Sequence, residues 1–495
     1  MCSLLLTLTT WSQPGAPDPA FNGSGVFLHA TSPAFDELQD IRVQPDGRIV
    51  GGGYTTTGVF NDVLIVRLLP NGAFDPSFGG TGTVVVDVNP SRDQIYALAL
   101  QADGRIVAAG STFFMGSFDE ILMRLNTDGT LDNSFGSNGV VVSSFAPGAS
   151  EYAYGVAVLT DQRILTAGTA GDLGRVTRYL SNGALDPSFG TNGSAYVGSL
   201  LTRLYALHVL GNGSILVAGH RFVNDSALYV GKLTSNGAVD MAFGTNGEVV
   251  IPINAHFKTV TGLAVDGSGR ILCSGYCGTS ATTCEALVLR LLANGQPDPA
   301  WGGDGLVFTS MPPMYFRGFG DVRALPDGKV IAGGYQFFMA NSVDADVILA
   351  RFDAQGNPDP LYGVGGIAQL DLANEDYDRV WGMELDAQGR ALLAGSGRLG
   401  TSQADIAIAR FLNDGTVDVS EWMFAAPRPA WPVPAADHVW LHTDFASTGF
   451  RVMDAAGRLV GSYGASRSID VRAFPNGVYM AVSELGHVAR FVVEQ

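Results

Sequence analysis

The feature that most constrains this chain is a short stretch that returns at a steady interval. Its clearest copy is Leu185-Asp186-Pro187-Ser188-Phe189-Gly190-Thr191-Asn192-Gly193. Near-copies begin at Phe74-Asp75, Leu131-Asp132 and Val239-Asp240, and looser ones follow at Asp298 (aromatic Trp301), Asp359 (aromatic Tyr362) and Asp418. One more copy opens the chain at Asp18-Pro19-Ala20-Phe21. From Asp75 onward the aspartates lie 57, 54, 54, 58, 61 and 59 residues apart. An interval this regular marks a repeat architecture, in which each unit buries its core against its neighbours.

Within the second full repeat, Ile95 to Leu100 reads as a short apolar strand, A. Asp103-Gly104-Arg105 is a tight turn, Ile106 to Gly110 is strand B, Glu120 to Leu125 is strand C, and Val140 to Ser143 is strand D. Short strands separated by turn signals predict an all-β fold. Glycine, 64 of 495 residues, is nearly twice the usual share of about 7%, which fits a turn-dense chain. Four strands per unit at this period predict propeller blades. The A-to-B turn recurs at Gly47, Gly104, Gln162, Gly213, Gly269, Gly328 and Gly389, giving seven units. The seventh supplies strands A to C, and its pattern dissolves at Glu421. The missing piece stands at the start of the chain, Phe21 to Gly25 followed by Val26-Phe27-Leu28. The expectation is a seven-bladed β-propeller whose N-terminal strand, within residues 25–30, completes the last blade and removes two open sheet edges. An open solenoid is the alternative.

A basic residue stands eight positions before each motif aspartate: Arg67, Arg124, Arg178, Lys232, Arg290, Arg351 and Arg410 precede Asp75, Asp132, Asp186, Asp240, Asp298, Asp359 and Asp418. Lys and Arg together number only 29, so the coincidence is not compositional. Both members flank the C-to-D turn, and a structural ion pair in every blade explains them better than a ring of ligand-binding arginines. Asp18 has Thr10 eight residues before it and is expected to stand without such a partner.

The Asp-Gly-Arg-Ile-Val-Ala-Ala-Gly type segment, the Arg-Leu segment and the Leu-Asp-x-Ser-Phe-Gly segment together resemble the delta-sixty repeats of secreted bacterial proteins. That resemblance covers roughly residues 18–420. It implies a β-propeller and no particular activity. After Trp422 the chain changes. Pro427, Pro429, Pro432 and Pro434 make a semi-rigid linker over 423–436. Residues 437–495 read as short strands, ending in Phe474-Pro475-Asn476-Gly477-Val478-Tyr479 and Ala489 to Val493. This part resembles the type A sorting domain of the type IX secretion system of Bacteroidota, a small β-sandwich. Pro432-Val433-Pro434 stands where Pro-Asn-Pro is usual, and Glu494-Gln495 closes the chain where a lysine is common. The resemblance implies passage across the outer membrane, the secretion machinery as partner, and an extracellular or outer-membrane surface location.

Leu4-Leu5-Leu6-Thr7-Leu8 and Thr10 to Gln13 resemble the core and cleavage region of a signal peptide over residues 1–13, without the usual positive leader. The propeller is then expected over 14–422. No apolar run reaches the roughly 18 residues that would span a bilayer. The net charge is −18 and the only lysines are Lys232, Lys258 and Lys329, which argues against a nucleic-acid partner. Cys273 holds a core position of strand B. Cys277 and Cys284 flank a short loop, and a disulfide there is compatible with an oxidising compartment.

No metal or other cofactor is implied. The seven histidines show no metal-ligand spacing. Neither a nucleophile elbow nor a phosphate-cradling loop is present. The acidic loop Asn374 to Asp378, around Asp376, is a candidate calcium loop without the regular alternation of a dedicated one. Binding residues concentrate on variable loops above a rigid scaffold. Here these are the B-to-C and D-to-A loops, with Phe113, Phe114, Tyr315, Phe316, Phe337, Phe338 and Tyr377 as candidates for a glycan or protein ligand. The reading is an exported binding module. Its rivals are a glycan hydrolase using Glu375 and Asp376, with its carboxyls about 5 to 9.5 Å apart, and a purely structural surface protein.

Overall fold

An Asp-Gly turn sets the geometry of each unit. In the second, Asp103 Oδ1 accepts the Arg105 amide at 3.1 Å, and Gly104 sits at φ 84°, a left-handed conformation that glycine adopts without strain. Strands Asp93–Leu100, Ile106–Phe114, Ser117–Leu125 and Val140–Ser143 (A to D) then pair in that order as an antiparallel sheet. This computed structural model describes residues 13–145, 148–198, 201–223, 225–253, 257–280, 283–309, 315–338, 341–372, 378–398, 404–413, 438–440, 450–454, 459–464, 466, 468–483 and 488–493. The linker and the leader up to residue 12 lie outside them.

Sheets of the same order begin with inner strands Asp36–Val43, Glu151–Val158 and Thr202–Val209. Those beginning with Phe257–Val265 and Tyr315–Ala324 are joined by a single bridge, Cys284 to Phe316. The last unit has Arg379–Leu385, Ala391–Gly397 and Asp405–Phe411, and its fourth strand is Val26–His29 from the chain start. Val26 lies opposite Ala409 and His29 opposite Ile406.

Every inner strand carries a β-bulge at the same place. The extra residue is Gln39, Tyr96, Tyr154, Tyr205, Thr261, Gly320 or Trp381. A bulge leaves one residue unpaired and re-aims its side chain. The facing position of strand B is always glycine. A Cβ on Gly168 would lie 1.7 Å from the Tyr152 carbonyl oxygen, and one on Gly275 2.0 Å from that of Thr259.

The motif aspartates are stitched as expected, and more extensively. Nε of Arg67, Arg124, Arg178, Arg290 and Arg351 meets its aspartate at 2.7–2.8 Å, and Lys232 meets Asp240 at 3.0 Å. The same arginine faces the motif aromatic ring, at 4.6 Å for Arg178 over Phe189. Its Nη1 reaches the C-to-D turn of the next unit, as in Arg178 to the Ser235 carbonyl at 2.6 Å. One expectation is corrected. Arg410 pairs with Asp18 at 2.8 Å and lies over Phe21 at 4.9 Å, while Asp418 lies outside the described residues. The motif at the chain start fills the slot of the last unit. Arg410 also donates to the Pro70 carbonyl of the first unit at 2.6 Å.

The expected disulfide is also corrected: Cys273, Cys277 and Cys284 are free, buried thiols. Cys277 lies opposite Glu285 and Cys284 opposite Gly278. The two cysteines are therefore one position out of register, so their side chains leave opposite faces of the sheet. Cys277 joins an apolar cluster with Cys273, and Cys284 Sγ lies 3.9 Å from the Arg317 carbonyl oxygen. Burial pushes the Cys277 thiol up to about 11. Reductant should accordingly leave the melting temperature unchanged, and native protein should resist alkylation until denatured. Mass loss of a hydrogen pair from these cysteines would contradict this.

The chain divides into two compact units, Met1–Met423 and Phe424–Gln495. In the second, Leu459–Tyr463, Phe450–Asp454, Gly477–Ser483 and Val488–Val493 form a four-stranded sheet, and His438–Trp440 pairs with Ser468–Asp470. Ile469 shares a core with Phe450, Val452, Tyr479 and Val493. Among the described residues no helix is long and apolar enough to cross a membrane.

Candidate functional site

The bulges converge on one place. A cavity of about 430 Å³ is lined by Gln39, Tyr96, Tyr154, Tyr205, Thr261, Gly320 and Trp381, the bulged residue of every inner strand. That size is within the usual range for small-molecule sites.

Two aromatic walls rise from it. On one, Tyr154 stands between Tyr96 (4.7 Å between ring centroids) and Tyr205 (5.0 Å), Tyr205 continues to His220 (5.5 Å), and His220 meets Phe222 (4.7 Å). On the other, Trp381 meets Tyr335 edge-on at 5.4 Å, which stacks on Phe316, itself 5.3 Å from Tyr276. Glu37 accepts from the Trp381 indole and from the Tyr54 hydroxyl, the latter at 2.8 Å. Burial raises the Glu37 carboxyl, against the pull of these donors and of Arg379.

Asp40, Arg42, Asp321 and Arg323 add a charged network to the lining. Arg42 bridges Asp40 (2.7 Å) and Glu384 (3.7 Å), and Arg323 bridges Asp321 (2.7 Å) and the same Glu384 (3.4 Å). Asp40 also accepts the amides of Ile41 and, from the next unit, Leu98 at 2.7 Å. Burial pushes the Asp40 carboxyl up to about 6, against Arg42 and these amides, with Asp321 adding to the rise. Burial would lower Arg323, but Asp321 and Glu384 outweigh it and hold the guanidinium up. Both Asp40 oxygens are taken by N–H donors, so this carboxylate is a fixed strut rather than an open acid or base.

His220 is buried on the cavity wall. Its Nδ1 lies 3.3 Å from Thr259 Oγ1, and its Nε2 has no partner. Burial, then the Arg203 charge, lowers it to about 4, so it is neutral at pH 7.

The loop aromatics expected from sequence stand outside the cavity lining and pack on their own scaffold. Phe113 contacts Phe118 at 5.1 Å, which leads through Tyr152 to Tyr154. Phe316 stacks on Phe337 at 4.8 Å, and Tyr315 meets Phe338 at 5.2 Å. Phe114 is exposed at the hairpin tip. Tyr377, Glu375 and the calcium candidate around Asp376 lie outside the described residues. Among the described residues, carboxylate oxygens of Asp62, Asp87 and Asp93 cluster within 4.8 Å. Asp93, however, already binds the Val88 and Asn89 amides and the Thr112 hydroxyl. Sequence reasoning missed the bulge residues because strand A read as a plain apolar strand. The signal available was the glycine that recurs in strand B of every unit.

Residues 44–78, 101–135, 160–189 and 325–362 match the sequence profile of a domain described as "Domain of unknown function (DUF5122) beta-propeller". The chain is thus a β-propeller repeat protein. A comparison with curated proteins finds no match. Among solved structures, the chain is similar to a catalytically inactive virginiamycin B lyase from Staphylococcus aureus with quinupristin. The two share 10% identity over 78% of this chain and 99% of that chain, with a TM-score of 0.45. A protein of unknown function from Dyadobacter fermentans has 14% identity over 78% and 98% of the two chains, with a TM-score of 0.41. Polysaccharide lyase Uly1 has 10% identity over 83% and 98%, with a TM-score of 0.44.

Proposed function

We propose that this β-propeller repeat protein is a glycan-binding module, with seven blades closed into a ring around the cavity and a C-terminal domain that directs its export. The observation that carries the binding reading is the bulge in every inner strand. It places three tyrosines and a tryptophan on the wall of one cavity. Aromatic faces with hydroxyl and N–H edges suit a sugar, which offers C–H faces to the rings and hydroxyls to the polar atoms. Three contacts support closure. Val26–His29 pairs with the last unit, Arg410 reaches Pro70, and Leu38 and Ile41 share a core with Leu392 and Ile408. Binding is favoured over hydrolysis because Asp40, Asp321 and Glu384 are each held by an arginine.

The test is a glycan array on the full chain, followed by calorimetry on the hits and product analysis of the same glycans. Binding without turnover is expected. Tyr154→Ala and Trp381→Ala should each weaken it about thirtyfold, the loss of roughly 2 kcal/mol typical of a central aromatic. Unchanged affinity in both variants would move the site off the cavity, and turnover would favour the hydrolase.

Export rests on the resemblance of residues 437–495 to a type IX sorting domain, and on the separate core of that unit. Fusion of residues 427–495 to a passenger, in a host carrying the secretion system, should bring it to the cell surface. Retention in the periplasm, while a working sorting domain succeeds in parallel, would overturn this reading.

A further inference from the structure

Cations are scarce in this chain, yet they gather where the cavity is. Against a net charge of −18, the lining holds Arg42, Lys258 and Arg323 but only the carboxylates Asp40 and Asp321. Arg42 and Arg323 are spoken for by Asp40, Asp321 and Glu384. Arg203 is not. It precedes the bulge residue Tyr205 by two positions on the same inner strand, and it lies directly opposite His220 on strand B. Its side chain is exposed and its charge acts on the Tyr205 hydroxyl, and no carboxylate of the described residues forms an ion pair with it. Beside it, His220 is more than nine-tenths buried with Nε2 unpartnered. A buried polar atom without a partner is costly unless something fills the place. In either tautomer Nε2 can exchange a hydrogen bond with a sugar hydroxyl.

We propose that the cavity selects a saccharide bearing an anionic group, which reaches the Arg203 guanidinium beside the lining residues Tyr205 and His220. This rests on the glycan-binding reading and adds the charge of the ligand to it. The shared chemistry is a carboxylate or sulfate on a sugar ring. A guanidinium matches either with paired N–H donors, and charge-assisted bonds of this kind are about twice as strong as neutral ones.

The experiment is calorimetry with oligogalacturonate, its fully methyl-esterified form, a neutral galactan oligomer and a sulfated galactan oligomer. The expected result is that the carboxylated or the sulfated oligomer binds at least about tenfold more tightly than the ester and the neutral oligomer. Arg203→Gln should erase that preference, and Arg203→Lys should keep part of it, with both variants melting as the parent does. The inference falls if neither charged oligomer is preferred over the ester and the neutral oligomer, or if Arg203→Gln leaves the preference intact. Should charged and neutral oligomers bind equally, and still be weakened by Tyr154→Ala, the glycan reading stands and the anion falls. Binding of none of the four overturns both.

Discussion

Asp18→Ala is expected to cost about 3 to 5 kcal/mol, as much as any motif aspartate, because it removes the buried carboxylate that two buried guanidinium groups share. The Asp18 carboxylate is fully buried and meets Arg410 Nε at 2.8 Å and Arg390 Nη1 at 3.1 Å. Arg390 also meets Asp386 at 2.6 Å. Phe21, under Arg410, and Phe27 are buried with Leu392, Ile406 and Ile408, so the segment also holds apolar area. A chain starting at residue 31 loses all of this. It bares the Ile406-to-Ala409 edge, a template for pairing with other chains. Such a truncation should unfold without a single cooperative transition and aggregate, where Asp18→Ala still folds. Urea denaturation measures both. An Asp18→Ala loss of roughly 1 kcal/mol or less would show that this segment does not close the last unit.

Much of this was legible in the residues. The Asp-Gly turns, the strand order and the basic-to-aspartate interval of eight come from local chemistry repeated in each unit, and repetition makes local signals readable. The pairing of the chain start with the last unit was harder, since position eight before Asp18 holds Thr10 and its true partner, Arg410, is almost the whole chain away. No local spacing encodes such a pairing; only the unfilled slot of the last unit does. The cavity was least visible. Tyr96 looks like one more apolar residue in Ile95 to Leu100 until the register shift between Ile95 and Ala97 turns it aside. A bulge depends on two strands at once, so periodicity along one strand cannot show it. The loop aromatics were easier to notice than the cavity lining because they stood in clusters, yet most of their faces are spent on their own hairpins.

Asp186→Ala is expected to cost about 3 to 5 kcal/mol, and Arg178→Ala a similar amount, with the double variant well short of their sum. Arg178 is buried, bound to Asp186 at 2.7 Å, and it also holds the Ser235 carbonyl of the next unit. A second cation unseen in the sequence pattern, Arg163 of the A-to-B turn, reaches the same Asp186 oxygen at 3.1 Å. Its side chain is one-third exposed, so Arg163→Ala should cost roughly 1 kcal/mol or less. The fourth unit is the internal control. It has Ser214 where Arg163 stands and a lysine in place of the arginine, and Lys232 and Asp240 are more open, at 16% and 24% exposure. Asp240→Ala should therefore be mild. The acid limb gives an independent reading. Burial would raise Asp186, but the Ser188 hydroxyl and amide, then Arg163 and Arg178, outweigh it and hold the carboxyl well below its usual range. Asp75, Asp132, Asp240 and Asp359 are lowered too. A folded-state value below the unfolded one means stability is present above about pH 4 and drains away as pH falls through the folded values. Urea midpoints should thus drop steeply from pH 4 to pH 2, and Asp186→Ala should flatten that slope. Equal losses for Asp186→Ala and Asp240→Ala, with no change in the acid limb, would show that burial of the pair does not set its worth.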